Sequence, residues 1–517
     1  MTKGKHKGIY DKIVKIVGEN NVSDDMFERQ VYSHDLAPLP KHIAVAFKIV
    51  PDIVVRPKSA IEVSKIVKLA RKENIPVTPR GAGSWGIGGG VASQGGILLD
   101  MTSMNKIIEI DQENLCMTVE AGITWKEVLT ALSRVDSDSA TTEYGFKIGS
   151  YPSSAPAATI GGWINTGGVG ISSYKYGGAE NQLRSLEVVL PNGNIINTGF
   201  PKVVANSSGY DLTRLFVGSE GTLGVITQVT LKLYPKPEVF LPLAYSLPDI
   251  EKGSQAIVKI TKQDFTPLHM SYLDKNHNEY LRELGLSDHD IGALVNVALE
   301  GSKATVDEQE KIIDAIMAEH DGEKLSEEIA MHEWDERFFE LRVKRLGPSL
   351  ILYEVFVPVA GLYEAIRRFN EFAADRKLPT GITGVISDRN TATLMPYFLL
   401  DERQMIRFMT SLSTTAALGD ISFDLGGRPA GLGTFWASNL PRLHGKGSLV
   451  MDDIKSAIDP YGVLNPGKMV EGVTRFGIPI PGIGMKFGMS GMALFRRIAS
   501  LTEKKPQVKD TTKESGD

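Results

Sequence analysis

The sequence predicts an α+β protein with two domains, and three observations support this prediction. Residues 51–79 have the pattern of a strand, a helix and a second strand, which together form a β-α-β unit. Asn192-Gly193 separates two β-type runs, which is typical of a hairpin. Strands and helices alternate over about 238–430, after a break at Pro235-Lys236-Pro237. We therefore expect a helical segment at 1–45, domains at 46–237 and 238–470, and a tail at 471–517.

The elements of the first domain follow from local signals. Residues 10–32 look helical, with apolar residues at near-helical spacing and turn residues at 18–21, and residues 51–57 form a strand bounded by prolines. Ser59 suits an N-cap, with Glu62 three residues later, so a helix is expected to about Glu73. The other predicted elements are strands at 76–79, 96–100, 107–110 and 117–122, a helix at 125–132, and strands at 185–190, 195–198 and 224–233.

In the second domain the clearest signals are one strand and two helices. Residues 350–358 predict a single apolar strand. Residues 362–376 predict an amphipathic helix with Ile366, Phe369 and Phe372 on one face. A last helix is expected at 449–458, and the charged tail from Thr502 is predicted to be disordered.

Composition excludes several classes of protein. The 517 residues include 57 Lys and Arg and 62 Asp and Glu, a formal net charge of −5, so charge gives no reason to expect a nucleic acid partner. The single cysteine, Cys116, excludes an intrachain disulfide and an iron–sulfur cluster held by this chain alone, and its strand-like context predicts an inert core thiol. No secretory signal and no apolar run of about 18 residues is present, so a cytoplasmic protein is predicted.

Two glycine-rich stretches, at 79–90 and 159–168, are the strongest functional signal. Glycine lets the backbone approach a phosphate closely, and successive N–H groups can then bind an anion. The pair predicts a long cofactor that carries phosphate. No Gly-Lys-Ser/Thr follows the first stretch, so it is not a Walker loop. Residues 81–86 fit G-x-G-x-x-G, but Asp100 ends a strand-like run and is poorly placed for the ribose contact of a Rossmann fold.

Seven segments, in their order and spacing, resemble the FAD-linked oxidases of the vanillyl-alcohol oxidase superfamily, which have a PCMH-type FAD-binding domain. The nearest branch is the glycolate oxidase large subunit and D-lactate dehydrogenase group. The motif at 218–226 is highly specific, whereas the glycine stretches alone are not. The resemblance covers about 32–469, and its segments are 51–57, 80–90, 158–162, 175–177, 209–212, 215–226 and 459–468.

The resemblance implies that FAD lies between two α+β subdomains and that an α+β substrate (cap) domain follows, whose C-terminal segment returns to the flavin. The first stretch would surround the pyrophosphate, the second would line the ADP and isoalloxazine side, and 218–226 would approach the adenosine. Asn465 and Lys468 would reach the flavin from the returning segment. The implied cofactor-binding residues are Arg80, Gly81, Ala82, Gly83, Ser84, Trp85, Gly86, Thr159, Gly161, Gly162, Asn165, Thr166, Gly167, Glu220, Gly221, Val225, Ile226 and Asn465.

Ser84 bears on how the flavin is held. Relatives with a histidyl flavin bond often carry that histidine just after the first glycines of this loop, where this chain has Ser84. Serine cannot supply the imidazole, so non-covalent FAD is predicted.

Arg337 is the candidate for binding a substrate carboxylate. Members of this group transfer the α-hydrogen of a 2-hydroxy acid to the flavin as hydride, which calls for a cation at the carboxylate and a base at the hydroxyl. Relatives carry Trp-x-x-Arg, and Trp334-Asp335-Glu336-Arg337 matches it. Arg342 and Arg345 are nearby alternatives, and a solvated arginine on a helix face is the competing interpretation.

The metal ligands of many relatives are missing from this chain. Those relatives hold a divalent metal with a His-x-Gly-Asp-Gly-Asn-x-His segment and a Gly-Glu-His-Gly segment, but residues 380–390 and 424–433 contain no histidine. Without imidazole and carboxylate ligands the usual site cannot form, so no catalytic metal is predicted. Arg428 sits near the place of the missing Glu-His pair, and we expect it to hold an anionic group of the substrate.

The base cannot be assigned from the sequence with the same support. His444, Asp388 and His332 are the candidates, and His444, in a loop just before the last helix, is the one predicted to be catalytic. For each histidine, a structural or surface role competes with catalysis. Tyr176 and Tyr353 are further alternatives that no pattern singles out.

Residues 476–497 form an unusual segment rich in glycine, methionine and aromatic residues. Methionine-rich surfaces adapt to partners, so docking on a partner is one interpretation. Peripheral contact with a membrane and packing on the chain itself are the others. The family often passes electrons to an iron–sulfur subunit, so a separate acceptor is expected here unless oxygen reoxidises the flavin.

The sequence thus predicts an FAD-dependent oxidoreductase that acts on a lactate- or glycolate-like 2-hydroxy acid. Two alternatives stay open: a dehydrogenase of a different alcohol, and a flavin-binding electron-transfer subunit without substrate chemistry.

Overall fold

The structure, a computed structural model, describes residues 3–36, 48–133, 145–204, 207–338, 340–401, 403–404, 417–434 and 437–471. The segment at 476–497 and the tail from 502, with their predicted roles, lie outside these residues. Elements are numbered in chain order.

A four-stranded sheet near the N-terminus has the order β1-β2-β4-β3. Its strands are β1 (Val22–Ser23), β2 (Ile53–Val55), β3 (Val77–Arg80) and β4 (Ile97–Asp100). Helix α3 (Ala60–Glu73) packs its Val63, Ile66 and Val67 against this sheet, and the predicted cap is confirmed because the Ser59 side chain accepts from Glu62 N.

The helical region predicted over 10–32, with turn residues at 18–21, forms two helices. Helix α1 (Lys3–Val17) and helix α2 (Met26–Val31) are separated by β1. Gly18 has φ of 83°, a backbone angle that ends a right-handed helix, and β1 then pairs with β2.

A second, five-stranded antiparallel sheet has the order β5-β6-β10-β8-β9. The hairpin predicted at Asn192-Gly193 is confirmed, since β8 and β9 pair on either side of it and Gly193 has φ of 78°. The elements of this region are β5 (Ile107–Asp111), β6 (Cys116–Glu120), α4 (Trp125–Ser133), β7 (Phe146–Lys147), α5 (Ile160–Thr166), α6 (Ser173–Tyr176), α7 (Ala179–Gln182), β8 (Leu183–Val189), β9 (Ile195–Gly199), α8 (Leu212–Phe216), β10 (Val225–Lys232) and β11 (Tyr234–Pro235).

From residue 239 onward the chain forms a nine-stranded sheet with the order β15-β12-β14-β13-β18-β19-β17-β20, in which β16 also pairs with β19. Its strands are β12 (Val239–Leu247), β13 (His269–Asp274), β14 (Ala293–Gly301), β15 (Glu323–Lys324), β16 (Ser349–Leu352), β17 (Val355–Pro358), β18 (Thr380–Ile386), β19 (Thr391–Leu400) and β20 (Arg428–Pro429). The helices are α9 (Ile250–Thr261), α10 (Lys275–Glu283), α11 (Lys303–Glu319), α12 (Glu327–Asp335), α13 (Leu362–Asp375), α14 (Leu440–His444) and α15 (Gly447–Ile458).

The two faces of this sheet have different partners. Helices α9, α11 and α13 bury one face in the largest apolar core. Side chains on the other face meet the first domain, where Glu300 of β14 contacts Lys147 and Tyr176. The second face of the sheet therefore contacts the first domain.

The prediction of one strand over 350–358 was wrong, because β16 and β17 are interrupted at Tyr353 and Glu354. Both strands pair with β19 in one register, and the interruption lies opposite Pro396. Proline has no N–H to donate, so one hydrogen bond of the ladder is missing at this point, and the pairing resumes in β17.

The chain returns to the first domain after α15. Val77 N donates to Val463 O, and Asn465 N donates to Val77 O, both at 2.8 Å. Residues 463–465 therefore extend the first sheet beside β3, directly before the first glycine-rich stretch.

Candidate functional site

The first glycine-rich stretch is shaped by Arg80 at its start. The Arg80 guanidinium donates to the backbone oxygens of His34 at 2.8 Å and of Tyr32 and Gly90 at 3.4 Å. It also lies beneath Gly83, whose φ is 66° and where a Cβ would meet Arg80 Nη2 at 2.4 Å. Burial lowers the pKa of Arg80, and the charge stays inside the loop rather than in solvent. Arg80 therefore holds the curvature of the loop.

The interior of this loop offers free backbone donors. Among the described residues, the N–H groups of Ala82, Gly83 and Ser84 form no hydrogen bond, whereas Gly88 N donates to Asp35 Oδ2 at 2.8 Å. Consecutive unpaired N–H groups are what a pyrophosphate requires. The residues present fit the phosphate part of a dinucleotide.

The second stretch packs directly on the first. Thr159 caps α5 by accepting from Gly162 N at 3.2 Å, and a Cβ on Gly81 would lie 2.1 Å from Thr159 Oγ1. Gly161 N donates to Ala121 O at 2.8 Å, and a Cβ on Gly161 would lie 2.8 Å from Ala121 Cβ. The contact of Gly81 with Thr159 brings the two predicted cofactor segments together, and the absence of a side chain on Gly81 is required for it.

The motif at 218–226 joins the second stretch through Asn165. Asn165 Oδ1 accepts from Gly221 N at 3.0 Å, its Nδ2 donates to Gly161 O at 2.9 Å, and its backbone oxygen accepts from Glu220 N at 2.9 Å. The Gly167 and Gly218 backbones also touch. The other predicted residues here have packing roles, with Thr166 bonded to a backbone oxygen in α5 and Val225 and Ile226 buried in β10.

Two buried oxygen atoms at this junction have no partner among the described residues. Glu220 accepts from Gly433 N at 2.9 Å through Oε1, but its Oε2 has no donor, and burial raises the pKa of this carboxyl. Asn465 Oδ1 is likewise buried without a hydrogen-bond donor. Unpaired buried acceptors are costly, so they point to a ligand that brings O–H or N–H groups, as ribose and adenine do.

Lys468 lies fully buried beside these groups. Its ammonium donates to Val91 O at 3.0 Å and to Thr434 Oγ1 at 2.6 Å, and burial lowers its pKa to about 8. A cation buried next to the loop of free N–H groups adds to the attraction for an anion.

A separate cleft, partly open to solvent, lies on the second face of the nine-stranded sheet. Arg337 stands at its edge in a short 3-10 helix after α12. Its guanidinium lies 4.3 Å from the Trp334 ring and 4.2 Å from the Phe338 ring, and Arg337 Nε is 3.4 Å from Tyr151 Oη of the first domain. The cleft is lined by His269, Ser271, His277, Asn296, Arg337 and Arg342, among others.

His269 is a site residue that the sequence interpretation missed. It is buried on β13, its ring meets Trp334 at 6.0 Å edge-on, and its Nδ1 accepts from Ser172 N at 3.4 Å. Burial and then the Arg337 charge lower its pKa to about 3, so the ring is neutral at ordinary pH. The alternating pattern of 268–274 was the available signal, since it places His269 and Ser271 on the same face.

Two family models match the chain over most of its length. A model described as FAD binding domain matches residues 51–199, and one described as FAD linked oxidases, C-terminal domain, matches residues 236–469. The glycolate oxidase subunit GlcD of Bacillus subtilis is 32% identical over 475 residues, with 90% of this chain and 97% of that protein covered. The chain belongs to the FAD-linked oxidase family. The resemblance predicted from the motifs is confirmed, as is FAD as the cofactor.

A second sequence relative supports this family assignment, and solved structures share the fold. A D-lactate dehydrogenase of Archaeoglobus fulgidus is 31% identical, with 81% of this chain and 91% of that protein covered. The structure of p-cresol methylhydroxylase with substrate bound aligns at a TM-score of 0.77 and 18% identity, over 91% of this chain and 98% of that one. An alkyldihydroxyacetonephosphate synthase aligns at 0.69 and 21% identity, over 89% and 84%. These structural matches confirm the predicted fold class.

The structure does not bring the three predicted catalytic residues together. Arg428 is exposed on β20, four strand positions from β13, which corresponds to roughly 19 Å from the His269 strand. His444 is exposed at the end of α14. Only Arg337 lines the cleft. The roles predicted for Arg428 and His444 stay predictions.

The other candidate bases have different surroundings. His332 is exposed on α12, and Asp388 accepts from Asn390 N and Thr391 N in a turn. Tyr176 donates to Glu300 at 2.5 Å, which ties the two domains of the FAD-linked oxidase together. Burial raises the pKa of Tyr353.

Two further observations concern metals and membranes. Within the described ranges, no group of three or more His, Cys, Asp and Glu side chains is placed to hold a metal ion. Among the helices of the same ranges, none has both the length and the apolar character that a bilayer span requires.

Proposed function

We propose that this FAD-linked oxidase removes a hydride from the C–H of a 2-hydroxy acid and passes the electrons to a separate acceptor. Relatives named glycolate oxidase subunit and D-lactate dehydrogenase support this proposal. The observation that carries it is Arg337 at the edge of the cleft.

Arg337 has the environment of an anion-binding group. It contacts Tyr151 Oη, the backbone oxygen of Trp334 at 2.6 Å and two aromatic rings, and no carboxylate among the described residues pairs with it. A guanidinium held by aromatic rings keeps its hydrogen-bonding fork available for a bidentate carboxylate. The carboxylate of a 2-hydroxy acid meets this need.

The remaining roles follow from the cleft. FAD, when bound, supplies the hydride acceptor. Because Ser172 N donates to His269 Nδ1, the neutral ring carries its proton on Nε2, and we propose that this N–H donates to an oxygen of the substrate. Arg337 and His269 would then fix the acid at two points and restrict the orientation of its C–H. His444 remains the proposed base and Arg428 a proposed second contact for an anionic group.

We further propose that the reaction needs no bound divalent metal and that a separate protein accepts the electrons. On β18, the positions that face the cleft are Thr383 and its neighbours of the same face, which are not metal ligands of the kind relatives use. The Bacillus subtilis relative is named a subunit, which supports an assembly with an acceptor. A stoichiometric divalent metal in elemental analysis would contradict the first statement.

Anaerobic reduction of the bound flavin tests the function directly. We expect D- or L-lactate, glycolate or another 2-hydroxy acid to bleach the flavin absorbance. Arg337→Lys keeps the charge but loses the bidentate fork and should raise KM, while Arg337→Ala should lower kcat/KM by roughly 100-fold or more. Flavin that no 2-hydroxy acid reduces, in protein that retains FAD, would overturn the proposal.

A further inference from the structure

The cleft extends well beyond Arg337. His269 and Leu273 both line it and are four residues apart on β13, so its floor runs for roughly 13 Å along that strand. His277, in the helix after β13, lies at the far end. Its Nδ1 forms a hydrogen bond with Tyr397 Oη at 2.9 Å. Lactate or glycolate would occupy only the Arg337 end.

The cleft beyond His269 is polar and contains both donors and acceptors, from Asn296, which pairs with Ser271 at the middle of the floor, to Arg342 near His277. Arg342 pairs with Glu336, and the Asn296 amide donates to Glu333. Three buried atoms there form no hydrogen bond with the described residues: Asn296 Oδ1 and Glu336 Oε2, both acceptors, and Arg342 Nε, a donor. A substrate that placed apolar groups beside them would leave all three without a hydrogen bond, which disfavours an alkyl chain.

Charge disfavours a second carboxylate at the same end. One guanidinium, Arg342, is present with two carboxyl groups, and its charge is already matched by Glu336. Burial raises the pKa of Glu333, and a further anion beside these groups would be repelled or would force their protonation. The occupant should therefore be uncharged and able both to donate and to accept hydrogen bonds.

Hydroxyl groups have this property, since each is one donor and two acceptor sites. Ser271, whose side chain lines the same floor, adds a further hydroxyl partner between the two ends. We propose that the natural substrate is a 2-hydroxy acid with a polyhydroxylated chain, an aldonic acid by chemical class, whose carboxylate binds at Arg337 and whose hydroxyls reach Asn296 and Arg342. This inference rests on the proposed function and names its substrate class.

A substrate series on the FAD-loaded wild-type protein tests the inference. The acids are glycolate, lactate, 2-hydroxyhexanoate, 2-hydroxyadipate and gluconate, together with the stereoisomers of gluconate, each assayed by anaerobic flavin reduction. We expect at least one six-carbon aldonate to exceed lactate, 2-hydroxyhexanoate and 2-hydroxyadipate in kcat/KM by 10-fold or more. If lactate or glycolate equals the aldonates, the inference fails and the proposed function stands. If none of the acids reduces the flavin, the proposed function itself fails.

Asn296→Leu provides the matched variant, because leucine is similar in size and removes the amide. It should lower kcat/KM for the preferred aldonate by roughly 10-fold, mainly through KM, and lower kcat/KM for lactate by a clearly smaller factor. An equal loss for both acids would assign Asn296 a structural role and contradict the proposal. Ser271→Ala gives a second, milder variant with the same expected selectivity, should the leucine variant retain no FAD.

Discussion

The side-chain amide of Asn465 donates a hydrogen bond to the backbone oxygen of Glu220 at 2.6 Å, across 245 residues of sequence. The same amide group donates to Gly89 O at 3.2 Å, and Asn465 N donates to Val77 O. One residue of the returning segment thus holds the first glycine-rich stretch, the 218–226 motif and β3 in a fixed arrangement. The FAD-binding region is completed only when the C-terminal part of the chain has returned to it.

Asn465→Ala should weaken both folding and FAD retention. The substitution leaves two buried carbonyl oxygens without donors, and we expect a loss of roughly 2–4 kcal/mol in the free energy of unfolding. Thermal unfolding with and without added FAD, and the flavin content of the purified protein, measure the two effects.

Alanine at position 465 would also add backbone strain, because Asn465 has φ of 42°. The effect of this strain has to be separated from the effect of the lost hydrogen bonds. Asn465→Gly accepts that angle without strain and also lacks the amide, so it serves as the control. Equal losses in both variants assign the effect to the hydrogen bonds. Full FAD content and an unchanged Tm in both would contradict the role given to Asn465.

Glu300→Gln should loosen the contact between the domains. The Glu300 side chain is only 2% exposed. It forms ion pairs with Lys147 and Lys175 and accepts a hydrogen bond from Tyr176, all in the first domain. Glutamine keeps the size but leaves two lysines without their counter-charge, which should cost roughly 2–3 kcal/mol of stability. Urea unfolding measures it. Glu319→Gln, in an exposed pair with Lys259, is the control and should leave the unfolding curve unchanged.

The sequence predicted the fold class and the FAD segments because these depend on local signals. Backbone recognition of phosphate requires glycine at fixed positions, and Ser59 and Asn192-Gly193 specify a cap and a turn within a few residues. The interruption of the strand at Tyr353 and Glu354 was not predictable in this way. It is set by Pro396 on a neighbouring strand, and only the pairing register reveals it.

In the substrate cleft too, local sequence motifs were predictable and contacts between distant residues were not. Arg337 was found because it belongs to a short motif, Trp-x-x-Arg. His269 was not, because its surroundings come from Ser172, 97 residues away, and from Trp334 in another element. Single histidines in apolar strands are ordinarily core residues, so the alternating pattern of 268–274 did not by itself distinguish His269 from a core histidine.

FAD should be released from the protein by acid. Ser84 stands where covalent relatives carry histidine, and its hydroxyl cannot form the imidazole bond to the flavin. After acid precipitation we expect all flavin fluorescence in the supernatant. Fluorescence that stays with the pellet after washing would contradict the non-covalent prediction.

Arg428→Ala compared with Arg337→Ala tests which cation binds the substrate. Arg428 is exposed on β20, with its guanidinium 5.8 Å from the Phe356 ring, whereas Arg337 lines the cleft. If Arg428 contacts an anionic group as predicted, its loss should raise KM by roughly 10-fold. Unchanged KM and kcat in Arg428→Ala, beside a large loss in Arg337→Ala, would remove Arg428 from the site and leave Arg337 as the anchor.

Asp274 should make stability depend on pH between about 4 and 7. It is buried at the start of α10, where Oδ1 accepts from His277 N and Ile382 N, and burial raises its pKa from 3.8 to about 7. A folded-state pKa above the unfolded value favours the protonated form, so the stabilisation is complete below pH 4 and is lost as pH rises through 7. The loss amounts to at most about 4 kcal/mol of the free energy of unfolding.

Asp274→Asn keeps the accepting oxygen but cannot ionise. In urea unfolding, its free energy of unfolding should match that of the wild type at pH 4 and exceed it at pH 8. A stability difference between the two proteins that stays constant from pH 4 to pH 8 would show that Asp274 does not titrate in this range.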